Sequence, residues 1–253
     1  MADLTIRGAG VFGLSIAWEA LSRGASVRIV DPHGPGAGAS GGVVGALQPH
    51  TPDPWNTKKQ FQLESLRMAE PFWTGIEAAS GMSTGYASVG RVQPLRSERE
   101  VALARARKDA ALANWGDADL WHVTGPSGNG WEPPSPTGFY LRDGLSAIVN
   151  PACAMASLAA ALKSKGAEVV FEAEDCSPTV WATGWRGLTD LGTALGRTAG
   201  GGVKGQAALL GHNAARAPQI YAEGLHIVPH LDGTLAIGST SEREFDDLSL
   251  IHI

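Results

Sequence analysis

Residues 4–31, "LTIRGAGVFGLSIAWEALSRGASVRIVD", restrict the fold more tightly than any other stretch of the chain. Leu4 and Ile6 alternate with polar residues, as in a short strand. Gly8, Gly10 and Gly13 follow in G-x-G-x-x-G spacing. Leu14, Ala17, Trp18 and Leu21 recur at helical spacing, Gly24 marks a helix stop, and Val27, Ile29 and Val30 form a second strand that ends at Asp31. Gly8 allows a tight turn, Gly10 lets backbone approach a pyrophosphate, and Gly13 lets the helix pack close to the sheet. The helix N-terminus adds free N–H groups and the positive end of a dipole, worth about 0.3–1 kcal/mol per charge. Asp31, 21 residues after Gly10, stands where a carboxylate accepts hydrogen bonds from a ribose hydroxyl. A 2′-phosphate there meets a like charge, which disfavours NADP. The competing reading is a glycine turn used only for packing, since the chain holds 33 glycines.

The next stretch separates two classes of dinucleotide. An NAD site continues from the acidic residue into another helix and strand. Here Asp31 is followed by Pro32 and then "HGPGAGASGGVVGALQPH", whose glycines and prolines preclude an immediate helix. Backbone this bare can lie against a second part of a ligand beyond the pyrophosphate, and a flavin is longer and flatter than nicotinamide. The loop favours FAD over NAD.

At these residues the chain resembles the FAD-dependent D-amino-acid oxidase superfamily, the group that contains glycine oxidase and sarcosine oxidase. "GAGVFG", Asp31 and "GASGGVVGALQPH" carry the resemblance at the start. "GLSAIVNPACAMASLAAALKSKGAEVVF", "TVWATGWRG", "GVKGQAALL" and "LHIVPHLDGTLAIGSTSE" continue it in the same order along nearly the whole chain. The resemblance implies an α/β fold: a Rossmann-like FAD-binding domain with a parallel sheet, plus an inserted α+β substrate domain with a mixed or antiparallel sheet. The implied FAD-binding domain comprises 1–48 and 144–201, and the substrate domain 49–143 and 202–247. Implied FAD contacts are Gly8, Gly10, Val11, Phe12 and Gly13 in the glycine turn, and Asp31 and Pro32 after the second strand. Ala39, Ser40 and Gly41 lie in the loop, Val44, Gly45 and Ala46 nearer the flavin ring, and Ala182, Thr183 and Gly184 at a later strand end. The adenine-side contact after "GAEVV" is not placed, because the family's next hairpin is shortened here to "FEAEDCSP".

The family's activity implies oxidation of the C–N bond of an amino acid or secondary amine, by hydride transfer from the substrate to the flavin. The flavin carries the difficult chemistry, so no catalytic residue of the chain is assigned. His226 and His230 are four apart, but in a strand pattern broken by Pro229, so no helical metal site is expected. In glycine oxidase-like members a tyrosine that touches substrate stands two residues before Val-Pro; here that position is His226, which leaves the substrate open. His50 is a further candidate for the substrate pocket, with Tyr221 and Lys204 weaker; a surface or supporting role for His50 stays open. Two rivals are a flavin oxidase acting on a modified tRNA base, whose "GASG…GAL-x-P" is similar, and a non-catalytic FAD-binding protein.

Between the two halves the periodicity predicts a helix over "KKQFQLESLRMAEPFWTGIEAASG" that Pro71 breaks or kinks. A Ser-capped helix is expected to run through "SEREVALARARKDAALANWG" to Gly116. "ADLWHV" and "TGFYLRD" read as strands around a Pro/Gly-rich loop. The chain has 253 residues, 18% charged and 43% hydrophobic, with a formal charge of −5 and no long basic run. Nucleic acid is therefore an unexpected main partner. Cys153 and Cys176 fit no C-x-x-C pattern and read as free thiols rather than a disulfide. No leader or membrane-length apolar run is seen, so the expectation is a cytoplasmic protein, with no membrane partner and an open oligomeric state. Residues 248–253, "LSLIHI", match one translated frame of a common transposon-end sequencing adapter. They are expected to be a non-native tail on a C-terminally truncated chain, one that exposes a strand edge, binds FAD poorly, aggregates and is inactive.

Overall fold

The computed structural model describes residues 2–176 and 178–245; the expected tail at 248–253 lies outside them. The chain opens as its glycine spacing predicts, with β1 (Leu4–Arg7), α1 (Val11–Ser22) and β2 (Val27–Val30). After a loop come β3 (Ala46–Leu47), α2 (Thr57–Ser80), β4 (Arg91–Pro94), α3 (Glu98–Ala106) and α4 (Lys108–Trp115). Next are β5 (Trp121–Thr124), β6 (Tyr140–Asp143), β7 (Ala147–Ile148), α5 (Pro151–Ser164), β8 (Val169–Val170), β9 (Thr179–Trp181) and α6 (Gly184–Leu195). The chain then forms β10 (Ala207–Gly211), β11 (Gln219–Ala222), β12 (Leu225–Pro229) and β13 (Thr234–Gly238).

Two sheets dominate. The first is wholly parallel, in the order β8-β2-β1-β9. The second is mixed, in the order β10-β13-β12-β11-β4-β6-β5, with β11 and β4 its parallel pair. A small antiparallel pair, β3 with β7, lies between the halves of the sequence. The fold class is therefore the expected α/β arrangement with one parallel and one mixed sheet.

The parallel sheet is covered by α1 and α5. Ile6, Leu14, Ala17, Ile29, Leu158 and Leu162 form the buried core there, with Ala69, Trp73 and Ile76 of α2 packed in. Burying one such aliphatic side chain is worth about 1.5–3 kcal/mol. At its start α2 sends Leu63 into a second core, with Leu95, Val101, Trp115, Trp121 and Leu141, under α3 and α4. A third cluster joins the mixed sheet to the loop before β3: Val228, Ala236 and Ile148 pack against Val43, Val44 and Ala46. That contact sets the glycine-rich loop against the mixed sheet.

Two local expectations are corrected. Pro71 does not end α2, which runs unbroken from Thr57 to Ser80. Pro71 is exposed, so water can satisfy the Arg67 carbonyl that loses its helix bond. The helix to Gly116 is two helices, divided at Arg107, whose guanidinium turns aside to pair with Asp53. Its start is as expected: Ser97 Oγ accepts from Glu100 N–H, while Glu100 reaches back to Arg96 N–H. Cys153 and Cys176 are free thiols, Cys176 Sγ standing 2.9 Å from Thr5 Oγ1. Among the described residues no helix is long and apolar enough to cross a membrane.

Candidate functional site

The glycine turn is shaped by close backbone contacts. Gly8 has φ +104°, and a Cβ there would lie 2.3 Å from the Ala182 carbonyl oxygen. A Cβ on Gly13 would lie 1.9 Å from the Gly8 oxygen. Any side chain at either position would force β1, α1 and β9 apart. Gly8 thus sits against Ala182 and Thr183, at the end of β9, and Ala182 N–H donates to Arg7 C=O at 2.7 Å. Thr183 and Gly184 then start α6.

At the N-terminus of α1, Leu14 N–H is the first to bond back, to Gly10 C=O. Val11 N–H donates to Ser40 Oγ at 2.9 Å. Phe12 and Gly13 N–H have no helix carbonyl to reach and remain available to an anion. Ser40 belongs to a 3₁₀ turn, Ala39–Gly41, that folds the glycine-rich loop over this helix end. Ser40 was expected as a ligand contact; its hydroxyl is also the missing helix cap.

Asp31 ends β2 beside the turn. Its Oδ2 accepts from Ala9 N–H at 2.7 Å and its Oδ1 from His33 N–H at 2.8 Å, so it fixes the turn, and each oxygen keeps a lone pair for a ribose hydroxyl. Pro32 follows it directly. The Asp31 N–H is held by Val170 C=O of β8, which sets the strand end next to exposed Phe171.

The loop is less bare than its composition suggests. A Cβ on Gly45 would lie 1.9 Å from the Val149 oxygen, and one on Gly41 would lie 2.1 Å from the Gly36 oxygen. These glycines serve the loop's own packing. Gly45 also accepts from Val149 N–H at 2.9 Å, and Ala46 pairs with Ile148. Val44 faces the mixed sheet: a Cβ on Gly238 would lie 3.2 Å from Val44 Cγ2.

Across the face of the mixed sheet that meets this loop runs a row of polar side chains that sequence reasoning did not identify. Arg91 and Asp143, 8% and 3% exposed, are register partners on β4 and β6, and Arg91 Nε lies 2.7 Å from Asp143 Oδ2. Asp143 Oδ1 accepts from Ser146 N–H at 2.8 Å, and Arg91 Nη1 donates to Gln48 Oε1 at 2.6 Å. Gln219, opposite Arg91, donates to Leu47 and Ala147 carbonyls and so locks β11 to β3 and β7. Beyond it, Tyr221 and His226 are opposed on β11 and β12, with ring centroids 4.9 Å apart. Burial, and then the Arg91 charge, hold His226 below the ordinary histidine range. His230 is held low by burial, although Asp232 pulls the other way; its Nδ1 is 2.9 Å from Thr234 Oγ1.

The structure therefore brings together Tyr221 and His226, but not His50 with them. His50 N–H donates to Gln62 Oε1 at 2.6 Å, and no hydrogen bond or ring contact among the described residues ties its imidazole to the pair. The signal for Arg91 was the alternation of Arg91 and Gln93 with Val92 and Pro94, which by itself reads as a solvent face.

The glycine cradle at the α1 terminus, the acid ending β2 and the loop running on toward the mixed sheet fit an extended dinucleotide. Comparison with known proteins agrees. Residues 3–250 match the family model described as FAD dependent oxidoreductase, DAO. Iminodiacetate oxidase from Chelativorans sp. BNC1 is similar in structure over 98% of this chain and 74% of its own, with a TM-score of 0.79 and 16% identity. Glycine oxidase from Geobacillus kaustophilus is similar over 97% of this chain and 73% of its own, with a TM-score of 0.74 and 20% identity. In sequence, 117 residues are 31% identical to the tRNA 5-methylaminomethyl-2-thiouridine biosynthesis bifunctional protein of Hydrogenovibrio crunogenus, 44% of this chain but only 17% of that protein. The chain belongs to the DAO family of FAD-dependent oxidoreductases.

Proposed function

We propose that the protein oxidises the C–N bond of an amino acid or secondary amine. The observation that supports this best is the polar row ending in Tyr221 and His226, set on the sheet face that packs against Val44. Bound FAD supplies the electron sink, taking two electrons and the α-hydrogen as a hydride. The chain binds and orients. Phe12 and Gly13 N–H, with Ser40 beside them, would receive the diphosphate, and Asp31 the ribose. Val44, Gly45 and Ala46 would hold the ring, and Ala182, Thr183 and Gly184 would close the nucleotide side. Tyr221 and His226 face the substrate, with His50 at its margin. In this division 1–48 and 144–201 hold the cofactor, while 49–143 and 202–247 cover the substrate side.

The test is anaerobic mixing of the full-length, FAD-loaded gene product with D-, L- and N-methyl amino acids. Loss of the oxidised-flavin absorbance with one of them is expected. A second reading, oxidation of an amine on a modified tRNA base, is favoured by the 31% identical match to the tRNA-modifying protein and opposed by the −5 charge. Bleaching only by the modified nucleoside or tRNA selects it. A protein that binds FAD and bleaches with neither is a non-catalytic binder.

A further inference from the structure

We propose that His226 Nδ1 accepts the proton that the substrate's ammonium group loses before its C–N bond is oxidised. The inference rests on the amine-oxidation reading above.

Three observations place His226 for this role. First, it lies directly opposite Gly238 in the β12–β13 ladder, and opposed residues share a sheet face. Gly238 abuts Val44, so His226 stands beside the loop assigned to the flavin ring. Second, Nδ1 is buried without a hydrogen-bond partner among the described residues. A buried polar atom left unpaired is costly, which calls for a partner that arrives with the substrate. Third, the ring is held on one side by Tyr221 at 4.9 Å, so its orientation is set before substrate binds.

The charged and titratable groups facing His226 are Tyr221 from β11, Arg91 from β4 and, paired behind Arg91, Asp143 from β6. On β13 its neighbour is Gly238, and on the β3 side Arg91 is met by neutral Gln48. Arg91 is anchored by Asp143 and Gln48 and cannot swing away, so it acts as a positioning residue that disfavours the imidazolium. Burial acts in the same direction, and the two together hold the ring neutral at pH 7.

The chemistry balances without a further reactant. An aliphatic ammonium titrates near 10 in water, as lysine does, so at pH 7 its nitrogen lone pair is engaged in an N–H bond. Burial beside Arg91 lowers that value as it lowers the imidazole's, so the transfer remains uphill and is drawn forward by the oxidation that consumes the free amine. One N–H bond breaks and one N–H bond forms at Nδ1. The freed lone pair becomes the second C=N bond as the α-hydrogen leaves with its two electrons to the oxidised flavin. The imidazolium, repelled by Arg91, returns its proton to solvent.

Two measurements test this. In the full-length FAD-loaded protein, the rate of flavin reduction should be flat from about pH 6.5 to 9 in the wild type. In His226→Gln it should fall tenfold per pH unit below the amine's own pKa, and be about 10²-fold slower at pH 7. His226→Ala should recover rate with added imidazole, which also covers loss of fold in a single variant. Independently of turnover, ¹⁵N-histidine NMR of the flavin-free protein should show the His226 imidazole titrating below 6.5, and Arg91→Gln should move that midpoint up. Identical pH profiles for wild type and His226→Gln, or a midpoint at or above 6.5, overturn the assignment alone. Failure of every amine to reduce the wild-type flavin overturns the amine reading, and this assignment with it.

Discussion

Asp143→Asn is the sharpest perturbation that the polar row offers. Asp143 serves two groups at once: Oδ1 accepts from Ser146 N–H, and Oδ2 is ion-paired with the Arg91 guanidinium 2.7 Å away. Asparagine has one neutral oxygen, so either Ser146 N–H or the Arg91 guanidinium would face an NH₂ group. The exchange also leaves Arg91, 8% exposed, without its counter-charge. For charge centres about 4 Å apart the lost attraction is about 4 kcal/mol at an effective dielectric of about 20. Removing one partner of a buried pair is destabilising by about 3–5 kcal/mol. At roughly 2–4 °C per kcal/mol for a chain of this size, Asp143→Asn should melt roughly 6–20 °C lower by circular dichroism. The double variant Arg91→Met/Asp143→Leu removes both charges and fills the space with apolar side chains, so it should recover most of that loss. A single variant melting within about 2 °C of wild type, or a double variant as unstable as the two singles summed, would refute the reasoning.

Three further outcomes follow from other parts of the site. Gly8→Ala forces a Cβ against the Ala182 oxygen at a φ of +104°; it should cost at least about 1–3 kcal/mol by urea unfolding and weaken FAD binding measured by fluorescence quenching. Ser40→Ala uncaps α1 and should cost about 1 kcal/mol, with a parallel loss of FAD affinity, whereas an unchanged affinity would detach Ser40 from the diphosphate. Stability should also depend on pH. His226 and His230 titrate below 6.5 in the folded chain, so the unfolded state takes up protons first. Their contribution is full above about pH 6.5 and shrinks as pH falls from there toward their folded values. The urea midpoint should therefore drop between pH 7 and 5.5, and His226→Gln/His230→Gln should flatten that drop.

The nucleotide-binding unit was legible because its glycines are constrained by backbone contacts that a sequence motif encodes directly. The β12–β13 hairpin falls in "LHIVPHLDGTLAIGSTSE", one of the stretches that carried the family resemblance. The break at Arg107 was not, since "RARKDAA" contains no helix breaker and the kink follows from a partner, Asp53, 54 residues away. The polar row was hidden by its own alternation: Arg91 and Gln93 read as a wet face until a second layer covers them. The glycine-rich loop is a shaped element, and its glycines serve its own packing. Gly41 and Gly45 are small because other backbone presses on them, while Gly38 has open space around it.

Thr5 of β1 meets Cys176, 171 residues later, and β9 then seals the same strand. At about 5–20 residues per second, a ribosome takes roughly 9–34 s to supply that segment after β1 has emerged. Until then β1 has a partner on one side only, and the carbonyl that Gly8 is shaped to meet does not yet exist. The motif that defines the fold is therefore made well before the strand end that completes its binding geometry. Synthesis speed and early chaperone contact, rather than the motif's own strength, would then set the yield of protein competent to take up FAD.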